Sequence, residues 1–258
     1  MSKPSLETRD LTIRFGGHVA VDSVSCAFHP GTLTAIVGPN GAGKTTYFNL
    51  ISGQLKASAG SVFVYGEEIT ALPAPLRTRR GLGRAFQLTN LFPNLSVLEN
   101  VRLAIQARRG LGLNLWSVWS RHRELVGEAE AVLERVALAD KRHQSAASLP
   151  HGDQRKLEVG ILLAIEPEVF MFDEPTAGMS VDEVPVILEL IREIKRDASK
   201  TILLVEHKMD VVRELSDRII VLHNGRLAAD GPPAEVIASP VVQQAYLGIE
   251  PEHGEVAR

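Results

Sequence analysis

The sequence predicts an α/β fold in which a mostly parallel sheet with helices is joined by an antiparallel β-subdomain and interrupted by an inserted helical subdomain. Three short, almost unbroken apolar runs, Leu33–Val37, Val169–Phe172 and Thr201–Val205, are typical of strands buried on both faces of a parallel sheet. Strand-like alternation around residues 11–28 precedes them, and apolar residues at three- and four-residue spacings mark residues 96–139. Together these patterns indicate alternating strands and helices with one helical insertion.

The composition limits the classes of protein to consider. The 258 residues are 45% hydrophobic and 23% charged, as in an ordinary globular protein. The formal net charge of −3 leaves no overall basic surplus for gripping nucleic acid, so we expect no nucleic-acid partner. The N-terminus lacks the apolar stretch of a secretory signal, and no run reaches the ~18 apolar residues of a spanning helix. We therefore expect a soluble chain that reaches a membrane only through a partner.

The first segment predicts an antiparallel hairpin. Leu11–Phe15 and His18–Phe28 alternate in strand fashion, and Gly16-Gly17 between them is a typical hairpin turn. Ser61–Tyr65 predicts a further strand of the same antiparallel part. Because Cys26 is the only cysteine, the chain forms no internal disulfide. Its apolar neighbours in the sequence predict a small, buried apolar side chain rather than a reactive thiol.

The helical pattern between the apolar runs predicts a subdomain inserted into the sheet. Trp116 and Trp119 lie in this stretch, and we interpret them as core or helix-packing residues rather than as an exposed docking patch. Because the chain shows no repeat, low-complexity tract or linker, we predict a single domain. Its core and antiparallel β-subdomain are assigned to residues 1–87 and 159–258, and its helical subdomain to residues 88–158.

Strands and helices alternate again in the last hundred residues. Asn224-Gly225, between Arg218–His223 and Arg226–Ala229, is the strongest short hairpin signal in the chain. The helices predicted in this part are Gln154–Ile165, Val181–Asp197 and Met209–Leu215.

A glycine-rich segment after the first buried strand matches the P-loop pattern. Gly38–Thr45 lies between this strand and a predicted helix at about Lys44–Ser52, so backbone N–H groups and the helix N-terminus can converge on phosphate oxygens. We expect Lys44 to reach the β- and γ-phosphates and the Thr45 hydroxyl to ligate Mg²⁺. The predicted nucleotide-binding residues of this segment are Gly38, Asn40, Gly41, Ala42, Gly43, Lys44, Thr45 and Thr46.

Two acidic residues end the second buried strand. Asp173 at the carboxyl edge of the sheet is placed to hold the Mg²⁺ shell, and Glu174 to polarise an attacking water. An apolar run followed by two acids is weak evidence alone, because a capped strand end has the same pattern. Combined with the P-loop, it predicts a P-loop NTPase core that takes a nucleoside triphosphate and Mg²⁺, without deciding between ATP and GTP.

Further motifs resemble those of the ABC-type ATPases over nearly the whole chain. Gln87, within Ala85-Phe86-Gln87, matches the Q-loop glutamine, for which the resemblance implies a place near Mg²⁺ and the attacking water. Ala177-Gly178-Met179-Ser180 is similar to the D-loop, which crosses the dimer interface in that family. His207, just after a buried strand, matches the switch histidine that contacts the γ-phosphate, although a lone histidine at a strand end is more often structural.

Two other positions in this resemblance concern the base and the partner subunit. Phe15 matches the A-loop aromatic that stacks on adenine, with Val21 packing nearby, although strand alternation alone would also bury a phenylalanine. The signature loop, usually Leu-Ser-Gly-Gly-Gln, binds the ATP of the partner subunit. The corresponding residues here are Pro150, His151, Gly152, Asp153 and Gln154.

The signature loop departs from the family pattern. Pro150 replaces a serine whose hydroxyl touches the γ-phosphate and also lacks an N–H, while His151 replaces a glycine. Gly152 and Gln154 keep their places. The departure leaves open a weaker site for the partner's ATP, or a different partner subunit that carries the usual motif.

Within the family, the sequence is most similar to ATP-binding subunits of branched-chain (hydrophobic) amino acid importers and their urea-type relatives. The matching stretches are Phe86–Phe92, Leu157–Gly160, Pro175–Met179, Val205–Met209 and Ala245–Gly248. The resemblance implies ATP hydrolysis in a homo- or heterodimer, transmembrane permease subunits as partners and, indirectly, a solute-binding protein. It also implies a cytoplasmic protein held at the inner face of the plasma membrane through the permease.

Three other functions remain open from the sequence. An ABC ATPase acting outside transport, as a DNA-repair or translation switch, would carry coiled-coil insertions or a second cassette, and neither is present. A P-loop kinase would not need the signature loop or the His207 element. A non-catalytic, ATP-gated binding module is the reading that Pro150 and His151 favour.

Overall fold

The computed structural model of the chain describes residues 3–85, 91–111 and 120–239. The chain forms two compact units. The first comprises Met1–Ala71 and Leu203–Arg258, and the second comprises Leu72–Ile202. The predicted strand Thr201–Val205 is present as β8, buried along its whole length, and carries the chain from the second unit into the first.

The first unit contains an antiparallel sheet in the strand order β2-β1-β4-β5. The predicted hairpin is confirmed, since Phe15 pairs with His18 across the turn and Gly16 has a φ of +58°. The predicted strand at Ser61–Tyr65 is also present and pairs with β1. The bounds of these strands are β1 Leu6–Phe15, β2 His18–Phe28, β4 Ala59–Val64 and β5 Glu67–Glu68.

A second group of strands in the first unit contains one parallel and one antiparallel pair. All five residues of β3 are buried, and β3 pairs parallel with β9, as its continuous apolarity predicts. β9 and β10 form the predicted hairpin through Asn224 and Gly225, whose φ values of +49° and +76° are those of a type I′ turn. The bounds are β3 Leu33–Val37, β9 Arg218–His223 and β10 Arg226–Gly231.

Helices cover these strands and close the core of the first unit. Residues of β3 and β9 pack with one residue each from α7 and α8 in a buried apolar cluster that consists of Ala35, Val37, Val212, Ile219, Val221 and Val236. Burial of apolar surface, as in this cluster, is the main favourable contribution to the free energy of folding. The helices are α1 Lys44–Ser52, α7 Met209–Leu215 and α8 Pro233–Ile237, so the predicted bounds of α1 and α7 are confirmed.

The second unit combines one parallel strand pair with helices. β6 pairs with β7 in parallel register, with Arg84 opposite Met171 and Ala85 opposite Phe172. The predicted helical stretch forms α3 and α4, and Ser96 caps α3 by accepting a hydrogen bond from the N–H of Glu99 (3.1 Å). The elements are α2 Ala74–Thr78, β6 Leu82–Ala85, α3 Val97–Arg108, α4 Ser120–Arg135, α5 His151–Ile165, β7 Val169–Asp173 and α6 Val184–Lys195.

Several boundaries differ from the sequence-based predictions. α5 begins at His151, three residues before the predicted start at Gln154, so the predicted subdomain boundary after residue 158 falls inside one continuous helix. α6 begins at Val184 rather than Val181, because Glu183 accepts hydrogen bonds from Ser180 and holds residues 180–183 in a turn. Trp116 and Trp119 lie outside the described residues. No helix in the described part of the chain combines the length and apolarity needed to cross a membrane.

Burial governs the chemistry of the single cysteine. Cys26 lies in β2 with only 5% of its surface exposed, as predicted. Burial raises the pKa of its thiol to about 11. At pH 8 such a thiol is ionised to only about one part in a thousand, and the thiolate is the nucleophilic form.

We therefore expect iodoacetamide at pH 8 to alkylate the folded protein about a hundredfold more slowly than the urea-unfolded chain. Mass spectrometry reports this modification directly because Cys26 is the only cysteine. Equal rates for the folded and the unfolded chain would contradict the buried, protonated thiol.

Candidate functional site

In the first unit, the Gly38–Thr45 segment joins β3 to α1 and is shaped by close backbone contacts. A Cβ atom at Gly38 would overlap the carbonyl oxygen of Leu222. At Gly43, where φ is +96°, a Cβ would lie 2.5 Å from the carbonyl oxygen of Ala20. The turn of the β9–β10 hairpin also supports this segment, since the N–H of Gly225 donates to the carbonyl of Ala42 (3.1 Å). Glycine is therefore required at both positions by space as well as by conformation.

The charge and helix geometry of this segment suit an anion. Lys44 Nζ donates to the carbonyl oxygens of Gly38 (2.6 Å) and Pro39 (2.9 Å), which holds the ammonium group at the start of the segment. α1 has Gly43 as its N-cap and no acidic residue in its first turn, so the positive end of the helix dipole is not offset there. Among the predicted residues Asn40, Gly41 and Thr45 are exposed, Thr46 is half-buried, and Ala42 is buried.

The two residues predicted to contact adenine differ in accessibility. Phe15 is 50% exposed at the end of β1, so it is not the buried core phenylalanine that strand alternation alone would predict. This exposure is compatible with stacking on a base. Val21 is fully buried, and its Cγ2 lies 3.5 Å from the position that a Cβ would take at Gly43. Val21 therefore packs beside Gly43, and its contact to the nucleotide stays a prediction.

His207 lies two residues beyond β8 and is exposed. The turn that carries it is fixed by Glu206, a buried residue that sequence reasoning gave no role. Its Oε1 accepts hydrogen bonds from the N–H groups of His207 (2.9 Å) and Lys208 (3.2 Å). A carboxylate that satisfies two successive backbone donors stabilises one conformation of this turn. The signal in the sequence is an acidic residue directly after a fully apolar strand.

In the second unit, Asp173 ends β7 and forms an ion pair with Arg84 of β6. The distance between Asp173 Oδ2 and Arg84 Nη2 is 2.7 Å, and the side chains are 0% and 4% exposed. Burial raises the pKa of Asp173 despite the opposing effect of Arg84, while the neighbouring Glu174 raises it further. Burial likewise lowers the pKa of Arg84. Desolvation thus outweighs the attraction within the pair at both groups.

The remaining oxygen of the Asp173 carboxylate fits a metal ligand. Among the described residues, Asp173 Oδ1 is a buried atom without a hydrogen-bond partner, and such a group calls for an explanation because leaving it unpaired is costly. No group of three or more His, Cys, Asp or Glu side chains that could hold a metal is present among these residues. One carboxylate, one hydroxyl and phosphate oxygens are what a P-loop site offers Mg²⁺.

Glu174, next to Asp173, has an unusual backbone conformation. Its φ is +50°, in the left-handed region that non-glycine residues rarely adopt. The carbonyl of Glu174 accepts a hydrogen bond from the N–H of Ala177 (3.0 Å), so the chain turns directly after it. This turn leads into the predicted D-loop.

The predicted signature loop is the beginning of a helix. Pro150 is the N-cap residue of α5, and His151 to Gln154 form its first turn, which corrects the prediction of a loop before the helix. The Asp153 carboxylate is buried in ion pairs with Lys141 and Lys156, so its side chain faces its own chain. Pro150 and His151 are exposed, Gln154 is half-buried, and Gly152 is buried.

One predicted site residue falls outside the described part of the chain. Gln87 follows β6 by two residues, and its role stays a prediction. The structure adds Arg84 on the same strand, which the sequence analysis missed. The only signal in the sequence is an arginine within the short run Leu82-Gly83-Arg84-Ala85. This run is too short and contains too few apolar residues to predict a buried strand.

Replacing Arg84 with methionine should leave the Asp173 carboxylate buried without its cation. Removing one partner of a buried pair typically lowers the free energy of unfolding by about 3–5 kcal/mol, and urea unfolding monitored by circular dichroism measures this. The additional substitution Asp173→Asn should restore part of the loss. The control Arg226→Met removes an exposed partner of Asp22 and should change stability little. Equal effects of the Arg84 and Arg226 substitutions would contradict a stabilising role for the buried pair.

Comparison with known proteins places these motifs in a family. The model of the ABC transporter family matches residues 21–177, and that of the branched-chain amino acid ATP-binding cassette transporter family matches residues 226–251. The high-affinity branched-chain amino acid transport ATP-binding protein LivG of Escherichia coli K12 is 38% identical over 96% of this chain and 99% of its own. BraF, the corresponding protein of Pseudomonas aeruginosa PAO1, is 36% identical over the same shares of the two chains.

Solved structures agree with this assignment. A nucleotide-free ATP-binding cassette from an ABC transporter matches with a TM-score of 0.80 and 28% identity over 95% of this chain and 100% of that chain. The ADP conformation of the cassette MJ1267 matches with a TM-score of 0.79 and 28% identity over 96% and 100%. The chain therefore belongs to the ABC transporter ATP-binding cassettes, an ATPase family, and within them to the group that contains the branched-chain amino acid transport proteins.

Proposed function

We propose that the chain is the ATP-hydrolysing subunit of an importer for branched-chain or other hydrophobic amino acids, or for a related small polar solute such as urea. The observation that carries the proposal is the similarity to LivG, which extends over 96% of this chain and 99% of that protein. The match of residues 226–251 to the branched-chain amino acid transporter model supports the same group. The substrate itself would be selected by partner subunits.

ATP would bind through the P-loop and the exposed aromatic. Phe15 offers a ring face to adenine, while Lys44 and the N-terminus of α1 attract the phosphates. The Thr45 hydroxyl and Asp173 Oδ1 are the groups that would hold Mg²⁺, whose charge offsets that of the β- and γ-phosphate oxygens. These assignments rest on the accessible Thr45 and on the unpartnered carboxylate oxygen.

Hydrolysis would then depend on residues that follow β7 and β8. Glu174 is the proposed base that orients and deprotonates the attacking water, and its fixed backbone turn restricts the positions of its carboxylate. His207, on the turn held by Glu206, would stabilise the transferring phosphoryl group. Gln87 is the proposed contact to Mg²⁺ and to the same water. Positioning and charge stabilisation provide most of the catalysis in phosphoryl transfer.

The partners and the location of the chain follow from its family. Two ATPase subunits, identical or different, would face each other so that the start of α5 meets the ATP of the partner subunit. Pro150, His151, Gly152, Asp153 and Gln154 are the proposed residues of that contact, with Asp153 acting through its backbone because its carboxylate is engaged. Permease subunits would hold the dimer at the cytoplasmic face of the plasma membrane, and a solute-binding protein would act through them. We propose no nucleic-acid partner.

Replacing Lys44 with alanine should weaken ATP binding by at least about tenfold, because a charged donor to the phosphates is lost. Fluorescence titration with a labelled ATP analogue measures the dissociation constant. Lys56→Ala, which changes an exposed lysine of the same unit, is the matched control and should leave affinity unchanged. The phosphate assignment fails if the two variants bind equally well.

Replacing Glu174 with glutamine should retain ATP binding and lower the turnover number by about 10²–10⁴-fold, since a general base is lost. ATP hydrolysis is measured on the chain in complex with its permease subunits, and gel filtration with ATP detects the ATP-bound dimer that this variant should accumulate. Normal hydrolysis in this variant would remove Glu174 from the role of base.

The same variant tests the transport assignment. Co-purification of the Glu174→Gln chain with ATP from its native host should recover a pair of multispanning membrane proteins, with or without a second ATPase. Recovery of a second, different ATPase would identify a heterodimer. Recovery of soluble or nucleic-acid-associated proteins alone would leave an ATPase and overturn its role in transport.

A further inference from the structure

Two segments of the second unit are in direct contact through side chains that have no role in the proposed hydrolysis. We call Ala177–Glu183 the D-loop segment and His151–Lys156 the start of α5. The imidazole of His151 packs against Gly178, where a Cβ would lie 2.9 Å from Cε1 and 3.1 Å from Nδ1 of that ring. His151 therefore contacts the D-loop segment of its own chain.

Glu183 makes the second and larger set of contacts between these segments. Its Oε2 accepts hydrogen bonds from the N–H (3.1 Å) and Oγ (2.9 Å) of Ser180, and its Oε1 lies 3.3 Å from Lys156 Nζ. A Cβ at Gly152 would lie only 2.5 Å from Glu183 Cδ, so the carboxyl group fills the space beside that glycine. The N–H and hydroxyl of Ser180 hold the pKa of Glu183 below its ordinary value.

The bonds to Ser180 alone would form a local turn that shares one bond with a capping box. In that arrangement the glutamate three residues after a serine accepts from the serine N–H and needs nothing further. Glu183 instead also reaches Lys156 and Gly152 on a different helix. One carboxylate thus connects the turn before α6 with the first two turns of α5.

Lys156 extends the connection within the start of α5. Its Nζ also lies 3.0 Å from Asp153 Oδ1, and Asp153 forms a further ion pair with Lys141. The side chains of Lys156, Asp153 and Glu183 are 10%, 5% and 26% exposed. Burial raises the pKa of Asp153, but the two lysines outweigh this effect and lower it overall. Such partly buried, charge-assisted bonds are stronger than those of exposed pairs.

We propose that Glu183 is a positioning residue that ties the D-loop segment to the start of α5, so that the two segments shift together. The D-loop segment begins three residues after Glu174, and Ala177 N–H donates to the Glu174 carbonyl. A change at the start of α5 is thereby passed to the backbone of the proposed base. The tie itself depends only on these contacts, whereas its role in catalysis rests on the proposed function.

Hydrogen exchange of the full-length chain with and without Glu183→Gln tests the tie directly. Glutamine keeps an oxygen acceptor for Ser180 but loses the charge that Lys156 binds. We expect amides of residues 154–158 and of residues 180–186 to exchange about tenfold faster, as loss of a charge-assisted bond implies. The control Glu189→Gln makes the same charge change on α6, where Glu189 pairs with Arg192 and Arg196 on or just after the same helix. This variant should not accelerate exchange in both stretches at once. Faster exchange at residues 180–186 alone would reduce Glu183 to a local cap and overturn the proposal.

A second substitution disturbs the tie from the opposite side. Gly152→Ala places a methyl group where the Glu183 carboxyl group lies, and this flexible side chain must move away. We expect faster exchange at residues 180–186, although the change is on α5. Gly127→Ala on α4 is the matched control, since a Cβ there meets nothing within 4 Å. Unchanged exchange at residues 180–186 in Gly152→Ala would overturn the tie.

Kinetics then separate this inference from the proposed function. If the unmodified complex hydrolyses ATP, Glu183→Gln should lower kcat about tenfold and leave the ATP affinity of the isolated chain within about twofold. Unchanged kcat with loosened segments would overturn the catalytic role of the tie. If the unmodified complex shows no hydrolysis, the proposed function fails, and the exchange experiment alone decides whether the tie exists.

Discussion

A buried carboxylate with one oxygen that has no partner among the described residues constrains the second unit. Asp173 is removed from water at the end of β7, and Arg84 provides its compensating charge from β6. Replacing such a pair with apolar residues often costs no stability, but an apolar residue cannot ligate a metal ion. The proposed metal-ligand role would therefore account for a buried pair that stability alone does not require. The ion pair also links β6 to β7 through side chains, in addition to the parallel pairing of their backbones.

In the first unit the corresponding constraint is space around the backbone. The P-loop is close to the carbonyl oxygens of Ala20 and Leu222, so Gly38 and Gly43 have no room for a side chain. Gly225 has the same limitation, because a Cβ there would lie 2.7 Å from the Ala20 carbonyl oxygen. The hairpin turn at Asn224-Gly225 thus does more than join two strands. It lets β2, the P-loop and the β9–β10 turn approach one another closely, which explains why glycines recur at this place in the fold.

The parts of the fold that the sequence predicts well are those whose signals are local. β3, α1 and α7 were predicted with their observed bounds because a continuous apolar run or a helical repeat lies between clear turn residues. β6 was missed because its four residues include Gly83 and Arg84, and only the partner Asp173, far along the chain, makes an arginine acceptable in a buried strand. The burial of Val21 and the early start of α5 likewise depend on tertiary contacts, which a single sequence does not contain.

The altered signature segment shows why a motif has to be interpreted together with its contacts. Compared with the family pattern alone, Pro150 removes a hydroxyl group and His151 removes a glycine. In the structure Pro150 is the N-cap of α5, where a missing N–H breaks no bond within the helix. His151 packs against Gly178, which has a φ of +73° and no side chain in the way. The substitutions are thus compatible with an ordered helix start that contacts the D-loop segment. The loss of the hydroxyl and of the glycine thus coexists with contacts inside the chain, and a proposed ATPase mechanism has to account for both.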